Sequence, residues 1–138
     1  MNNKISVQEL KALAKKCDTP HRLSQVDASA TVENPLCGDQ LLLELQLIDN
    51  RITEVGYEVN ACLLCAAATG LLVDLVLGSN SEEIEEISNN VKKMLKGEGR
   101  SIDQKLDIFH SVSNHTSRHG CVMLPFRAVK SALESYGP

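Results

Sequence analysis

The sequence predicts an α+β protein, with its strands gathered in the first half of the chain and its helices before and after them. Leu41, Leu43, Leu45 and Leu47 alternate with Gln40, Leu42, Glu44 and Gln46, and Val55, Tyr57 and Val59 alternate in the following segment. This is period-two patterning on both arms of an antiparallel hairpin, and Asp49-Asn50 between them is a two-residue turn signal. Apolar residues recur at helical spacing near residues 7–16, 84–95 and 124–133, while 62–77 is apolar nearly all round. A helix of that last kind is buried on most of its circumference.

The elements follow in order. Ser6-Val7-Gln8-Glu9 reads as a capping box that opens an amphipathic helix from Val7 to Lys16, and Asp18-Thr19-Pro20 breaks it. Cys17 then falls at the helix end, a buried free cysteine without a role. After a polar, irregular stretch from His21 to Val26, Ser29-Ala30-Thr31-Val32-Glu33 has the β-branched character of a short strand. It ends in Asn34-Pro35-Leu36-Cys37-Gly38-Asp39, a tight loop in which Gly38 is free to take positive φ and turn Cys37 and Asp39 to one side. The hairpin strands, 41–47 and 52–59, deliver the chain to Cys62, near the Cys37 loop if the short first strand pairs alongside.

Helix is expected from Cys62 to Leu77, closed by Gly78, with Gly70 in its middle as a sign of close packing against the sheet. Ser79-Asn80-Ser81-Glu82 reads as a second capping box, and Ile84, Ile87, Val91, Met94 and Leu95 supply an apolar stripe up to Lys96-Gly97. Glu82, Glu83, Glu85 and Glu86 at its start form a solvated face that suits the helix dipole. Ile102, Leu106 and Phe109 mark a short helix, and Ser111 to Gly120 reads as a polar loop. Cys121 stands just before a last helix in which Pro125 occupies the first turn and Leu124, Ala128, Val129 and Leu133 face inward.

Composition narrows the classes. The 138 residues suit one domain, with 43% hydrophobic and 23% charged residues and only 3% aromatics, so the core is aliphatic. With 14 basic against 18 acidic residues the net charge is −4, which speaks against nucleic acid or an anionic membrane as partner. Met1-Asn2-Asn3-Lys4 lacks the apolar segment of a signal peptide and no apolar run approaches a membrane span, so the expected compartment is the cytoplasm. Five cysteines in a reducing compartment point to metal binding or thiol chemistry rather than a disulfide framework.

Cys37, Cys62 and Cys121 all fall at element boundaries, and Cys62 opens a helix, where the dipole favours thiolate. With Asp39 they make a donor set of three soft ligands and one hard one, enough for tetrahedral Zn(II) or for the corner of an iron-sulfur cluster. Cys65, one turn into the helix, is either a further sulfur ligand or a small core residue. His119 is a candidate ligand or donor to a thiolate, and Arg118 a candidate partner of the Cys121 thiolate or of Asp39. A thioredoxin-like dithiol at Cys62 and Cys65 lacks its βαβ context, and a hydrolase using Cys121 and His119 lacks an orienting third residue.

Taken in chain order, Asn34-Pro35-Leu36-Cys37-Gly38-Asp39, Ala61-Cys62-Leu63-Leu64-Cys65-Ala66-Ala67-Ala68 and Arg118-His119-Gly120-Cys121-Val122-Met123-Leu124-Pro125 carry a family resemblance. The sequence resembles the U-type iron-sulfur cluster assembly scaffolds, the IscU/SufU/NifU N-terminal family, over roughly residues 20 to 134. The resemblance implies a three-stranded antiparallel sheet with several helices packed on it and a metal site built from Cys37, Asp39, Cys62 and Cys121, with Cys65 and His119 as additional candidates. It implies a non-enzymatic scaffold that accepts sulfur from a cysteine desulfurase, with Cys121 as the accepting thiolate, and that assembles a [2Fe-2S] cluster for recipient apo iron-sulfur proteins. In the Suf-type branch the same site holds zinc and relays persulfide sulfur instead. Both a cluster held by one chain and one shared in a homodimer are compatible with it. Gly120 stands where the Isc branch has a histidine and the Suf branch a lysine, and the Leu-Pro-Pro-Val-Lys segment of the Isc branch is absent. The long stretch from Gly78 to Arg118, and Arg118 itself, are closer to the Suf-type arrangement.

Overall fold

The computed structural model describes residues 7–99 and 103–136. Helix α1 spans Val7–Ala14 and tightens into a 3₁₀ turn over Lys15–Cys17. Ser6 of the expected capping box lies outside the described residues. Strands β1 (Ala28–Asn34), β2 (Asp39–Ile48) and β3 (Arg51–Asn60) form an antiparallel sheet in the order β1-β2-β3. Asp49 and Asn50 form the two-residue turn with φ of 54° and 63°, the left-handed values a type I′ hairpin requires.

Register follows the alternation. Leu41 pairs with Val59, Leu43 with Tyr57, Leu45 with Val55 and, beyond a bulge, Leu47 with Ile52. Leu41, Leu43 and Leu45 are completely buried, each contributing about 1.5–3 kcal/mol of apolar burial. The helices cover this face: α4 (Thr116–Tyr136) lies along β1 and β2, and α2 (Leu63–Leu75) touches both α1 and α4. Contacts on two sides explain why α2 has almost no polar stripe.

The opposite face is strapped. His21 and Tyr57 exchange backbone hydrogen bonds at the β3 edge, and the chain then passes to β1, Asp27 donating its N–H to the Leu45 carbonyl. Glu44 is buried under this strap, accepting from Arg22 Nη2 and from the Leu23 N–H, each at 3.0 Å. A Cβ on Gly56 would come within 2.8 Å of the His21 carbonyl, so the strap needs a glycine beneath it.

Several expectations are corrected. The box that opens α3 (Ser81–Leu95) is Asn80 with Glu83, one residue later than Ser79 with Glu82, because the Ser79 carbonyl accepts the Ile52 N–H and Ser79 is buried. Gly70 packs against α1 rather than the sheet: a Cβ there would lie 2.1 Å from the Leu13 carbonyl oxygen. The short helix is a nine-residue 3₁₀ helix, Gln104–Val112, whose buried residues Leu106, Phe109 and Val112 recur every three positions as its three-fold turn demands. Ile102 of that expectation lies outside the described residues.

The last correction bears on the site. The segment expected to be a polar loop up to Gly120 holds the end of the 3₁₀ helix and the first turn of α4, which begins at Thr116. Cys121 is thus inside the helix, and Pro125 is in its interior rather than its first turn. Pro125 has no N–H, so the Cys121 carbonyl one turn earlier lacks its usual helical donor.

Candidate metal centre

One end of the sheet gathers the chemistry. Asn34 pairs with Asp39 at the close of β1 and start of β2, and Gln40 pairs with Asn60 at the end of β3, so the β1–β2 turn and the entry to α2 are neighbours. Gly38 takes φ of 73°, and the Gly38 N–H donates to the Asn34 carbonyl at 2.8 Å. That closes the turn with Cys37 at its exposed tip. Cys62 is the N-cap of α2, its sulfur accepting the Cys65 N–H at 3.4 Å. Cys121 arrives from α4, which lies over β1 and β2.

Asp39 accepts hydrogen bonds from two of the three thiols. It is 1% exposed, and its Oδ1 accepts the Cys62 N–H at 2.7 Å. Its Oδ2 accepts from the Cys37 thiol at 2.8 Å and from the Cys62 thiol at 3.5 Å. Cys37 and Cys121 bring their sulfurs within 3.5 Å of one another. The ligand atoms of Cys37, Asp39 and Cys121 all lie within 4.8 Å of each other. All five cysteines are free, and exposure grades inward from Cys37, exposed, through Cys62, half-buried, to Cys121 at 2%.

Ionisation of Cys37 and of Cys121 is suppressed in this arrangement. The hydrogen bond to Asp39 raises the Cys37 thiol above its ordinary range, and burial followed by the Cys37 contact and the neighbouring Cys62 pushes Cys121 up strongly. The Cys37 and Cys121 thiols hold their protons for want of a positive charge, the reverse of what a bound cation imposes. The Cys37 and Cys121 sulfurs and an Asp39 carboxylate oxygen form one close group, and Cys62, 3.5 Å from Asp39 Oδ2, stands beside it without joining that group; thiol and carboxylate donors of this kind fit a thiophilic cation.

The remaining candidates lie elsewhere. Cys65 is completely buried, touches the site through its backbone N–H, and has its thiol raised strongly by burial and then by Asp39. Thr69 sits one turn further on and hydrogen-bonds the Cys65 carbonyl at 2.9 Å. His119 places Nε2 3.1 Å from the carbonyls of both Val112 and Ser113, capping the end of the 3₁₀ helix. Arg118 is exposed on the first turn of α4. Cys17 is buried at the end of α1, and burial raises its thiol to about 11. Sequence reasoning passed over Asn34, a buried side chain between the Cys37 turn and Cys121. Its signal was an Asn before Pro at a strand end, a pattern that favours an Asx turn.

The fold and this cluster define an α+β protein with a thiol and carboxylate centre at the end of a three-stranded antiparallel sheet. The chain belongs to the NifU-like N terminal domain family, whose profile matches residues 18–137. It is 23% identical over 137 residues to the iron-sulfur cluster assembly scaffold protein IscU of Streptococcus pyogenes, covering 96% of this chain and 86% of that one. It is 22% identical over 107 residues to the zinc-dependent sulfurtransferase SufU of Bacillus subtilis, covering 74% and 71% of the two chains. Among solved structures it resembles a nitrogen-fixing NifU-like protein (N-terminal) from Brucella abortus, with a TM-score of 0.86, 26% identity and coverage of 96% and 94%. Among the described residues no helix is long and apolar enough to cross a membrane.

Proposed function

We propose that this protein is a single-domain scaffold, without an enzymatic turnover of its own, on which a [2Fe-2S] cluster is assembled from sulfur supplied by a cysteine desulfurase and passed to recipient apo proteins. The observation that supports this reading is the close group of Cys37, Asp39 and Cys121, with Cys62 against Asp39, at one sheet end. Three soft donors suit iron and sulfide, and one hard donor makes a corner easier to release. The names of the IscU and SufU relatives support the same reading. A net charge of −4 agrees with a protein partner rather than nucleic acid.

Exposure sets an order for sulfur entry. Cys37, the exposed thiol, meets a donor's persulfide first; it passes its proton to Asp39 Oδ2, 2.8 Å away, its sulfur attacks the outer sulfur of the persulfide, and the donor cysteine leaves as thiolate. Cys121, the acceptor implied by the resemblance, lies 3.5 Å behind and takes the same sulfur by a second exchange in which the Cys37 thiolate leaves. The donor set equally suits the runner-up, a zinc-bound persulfide carrier in which the same four residues would hold the ion and the ion would keep their sulfurs as thiolates. Metal analysis of anaerobically purified protein, followed by visible absorbance after adding desulfurase, cysteine and ferrous iron, tests the choice. Iron-sulfur absorbance is expected; stoichiometric zinc that iron and sulfide fail to displace would leave the carrier reading.

A further inference from the structure

The segments that bear the candidate ligands are far apart in sequence, and one side chain joins two of them. Asn34 is 5% exposed. Its Oδ1 accepts the Leu36 N–H at 3.1 Å, while its backbone carbonyl accepts from Cys37 at 3.3 Å and Gly38 at 2.8 Å. Every bond that shapes the Cys37 turn from its first residue therefore passes through Asn34. Its remaining group, the amide nitrogen, faces the Cys121 sulfur across 4.0 Å, from a position 87 residues away in the chain.

Gly120 is the counterpart. A Cβ at position 120 would lie 3.1 Å from Asn34 Nδ2, tighter than ordinary contact, so a side chain there would displace the amide from its place beside Cys121. A glycine within the second turn of a helix is unfavourable by about 1 kcal/mol against alanine. The close approach of Asn34 accounts for its presence.

We infer that Asn34 is a positioning residue of the metal centre, whose side-chain N–H donates to the sulfur of Cys121 while its carbonyl oxygen holds the Cys37 turn, so that one amide sets the spacing of two ligand sulfurs and the electron density of one of them, Cys121. This rests on Cys37 and Cys121 being ligands, as proposed above. A donor aimed at a ligand sulfur draws density from it, and partners of this kind typically alter metal affinity 10- to 100-fold, on the order seen for outer-shell groups in metal sites.

The test is an anaerobic titration of the full chain with Co(II), read by the sulfur-to-cobalt charge-transfer band and the ligand-field bands. Asn34→Asp keeps the oxygen that holds the turn and removes the donor. Asn34→Ser keeps a shorter acceptor, and Gly120→Ala leaves Asn34 in place but pushes its amide away. The expected result is a shift of the charge-transfer band to lower energy in all three, smallest in Gly120→Ala, with Co(II) binding weakened about 10-fold or more in the Asn34 variants. Charge-transfer bands that coincide with those of the unsubstituted chain, in any variant that retains its far-ultraviolet dichroism, would overturn the inference even if affinity fell. Absence of any sulfur-to-cobalt band in the unsubstituted chain would overturn the parent reading, and this one with it.

Discussion

Replacing Gly70 with alanine sets two effects of opposite sign against each other. Helix propensity favours alanine by about 1 kcal/mol in the middle of α2. Against it, the new Cβ would stand 2.1 Å from the Leu13 carbonyl oxygen and 3.0 Å from the Leu13 carbonyl carbon. Both are backbone atoms, so no rotamer change relieves the overlap, and α1 must move off α2 by at least about 1 Å merely to bring the pair past 3.0 Å, still short of ordinary contact. A gap of that size forfeits roughly a quarter to a half of the dispersion at the interface. Applied to Leu10 and Ala14 of α1 and Leu71 of α2, all buried, the loss with overpacking strain comes to about 3 kcal/mol. The net expectation is destabilisation by about 2 kcal/mol, or roughly 5–8 °C in Tm for a chain of this size. Urea and thermal unfolding followed by circular dichroism measure it, with Leu13→Ala as a control that should fail to rescue the substitution. An unchanged or raised Tm for Gly70→Ala would refute the reasoning.

Two further outcomes are expected. Asp39→Ala, by removing the hard donor, should make a reconstituted cluster decay more slowly in air, and equal or faster loss of its visible absorbance would count against a labile carboxylate corner. The hydrogen bond from Arg22 holds the Glu44 carboxyl below its ordinary range. A depressed folded value means that Glu44 contributes stability in full above the unfolded value of about 4.3, and that this is lost as pH falls through the lower folded value. Glu44→Gln should therefore flatten the acid limb, so that urea midpoints at about pH 3 and about pH 6 lie closer together than in the unsubstituted chain.

How much of this was legible in the sequence depended on how far apart the interacting residues lie. The hairpin was legible because Leu41 to Leu47 and Val55 to Val59 carry their own period, and Asp49-Asn50 carry their own turn chemistry. The cap at Cys62 was legible for the same local reason. The start of α4 was not, because residues 111–120 look polar and irregular, and what fixes them is tertiary: the His119 ring on the carbonyls of Val112 and Ser113, and the Asn34 amide against Gly120. Gly70 announced a close approach without naming the partner, since Leu13 lies on a different element. Glu44 broke no visible rule as the polar member of an alternating strand; its burial comes from the strap, which the sequence showed only as an irregular stretch.

The same distinction bears on the site. Cys37 and Asp39 are two residues apart and would approach one another in an unfolded chain, but the Cys37 to Cys121 contact spans 84 positions and exists only once α4 lies along the sheet. A cation held by all four residues would therefore bind the folded chain far better than the unfolded one, and its binding energy would add to folding stability. The supports also differ: Asp39 and Cys121 are buried on a strand and a helix, whereas Cys37 sits on an exposed turn shaped by Gly38. On the proposed reading the buried Cys121 retains the cargo, the Asp39 carboxylate is the corner that lets it go, and the exposed turn is where sulfur enters, so retention and release reside in different residues of one small centre.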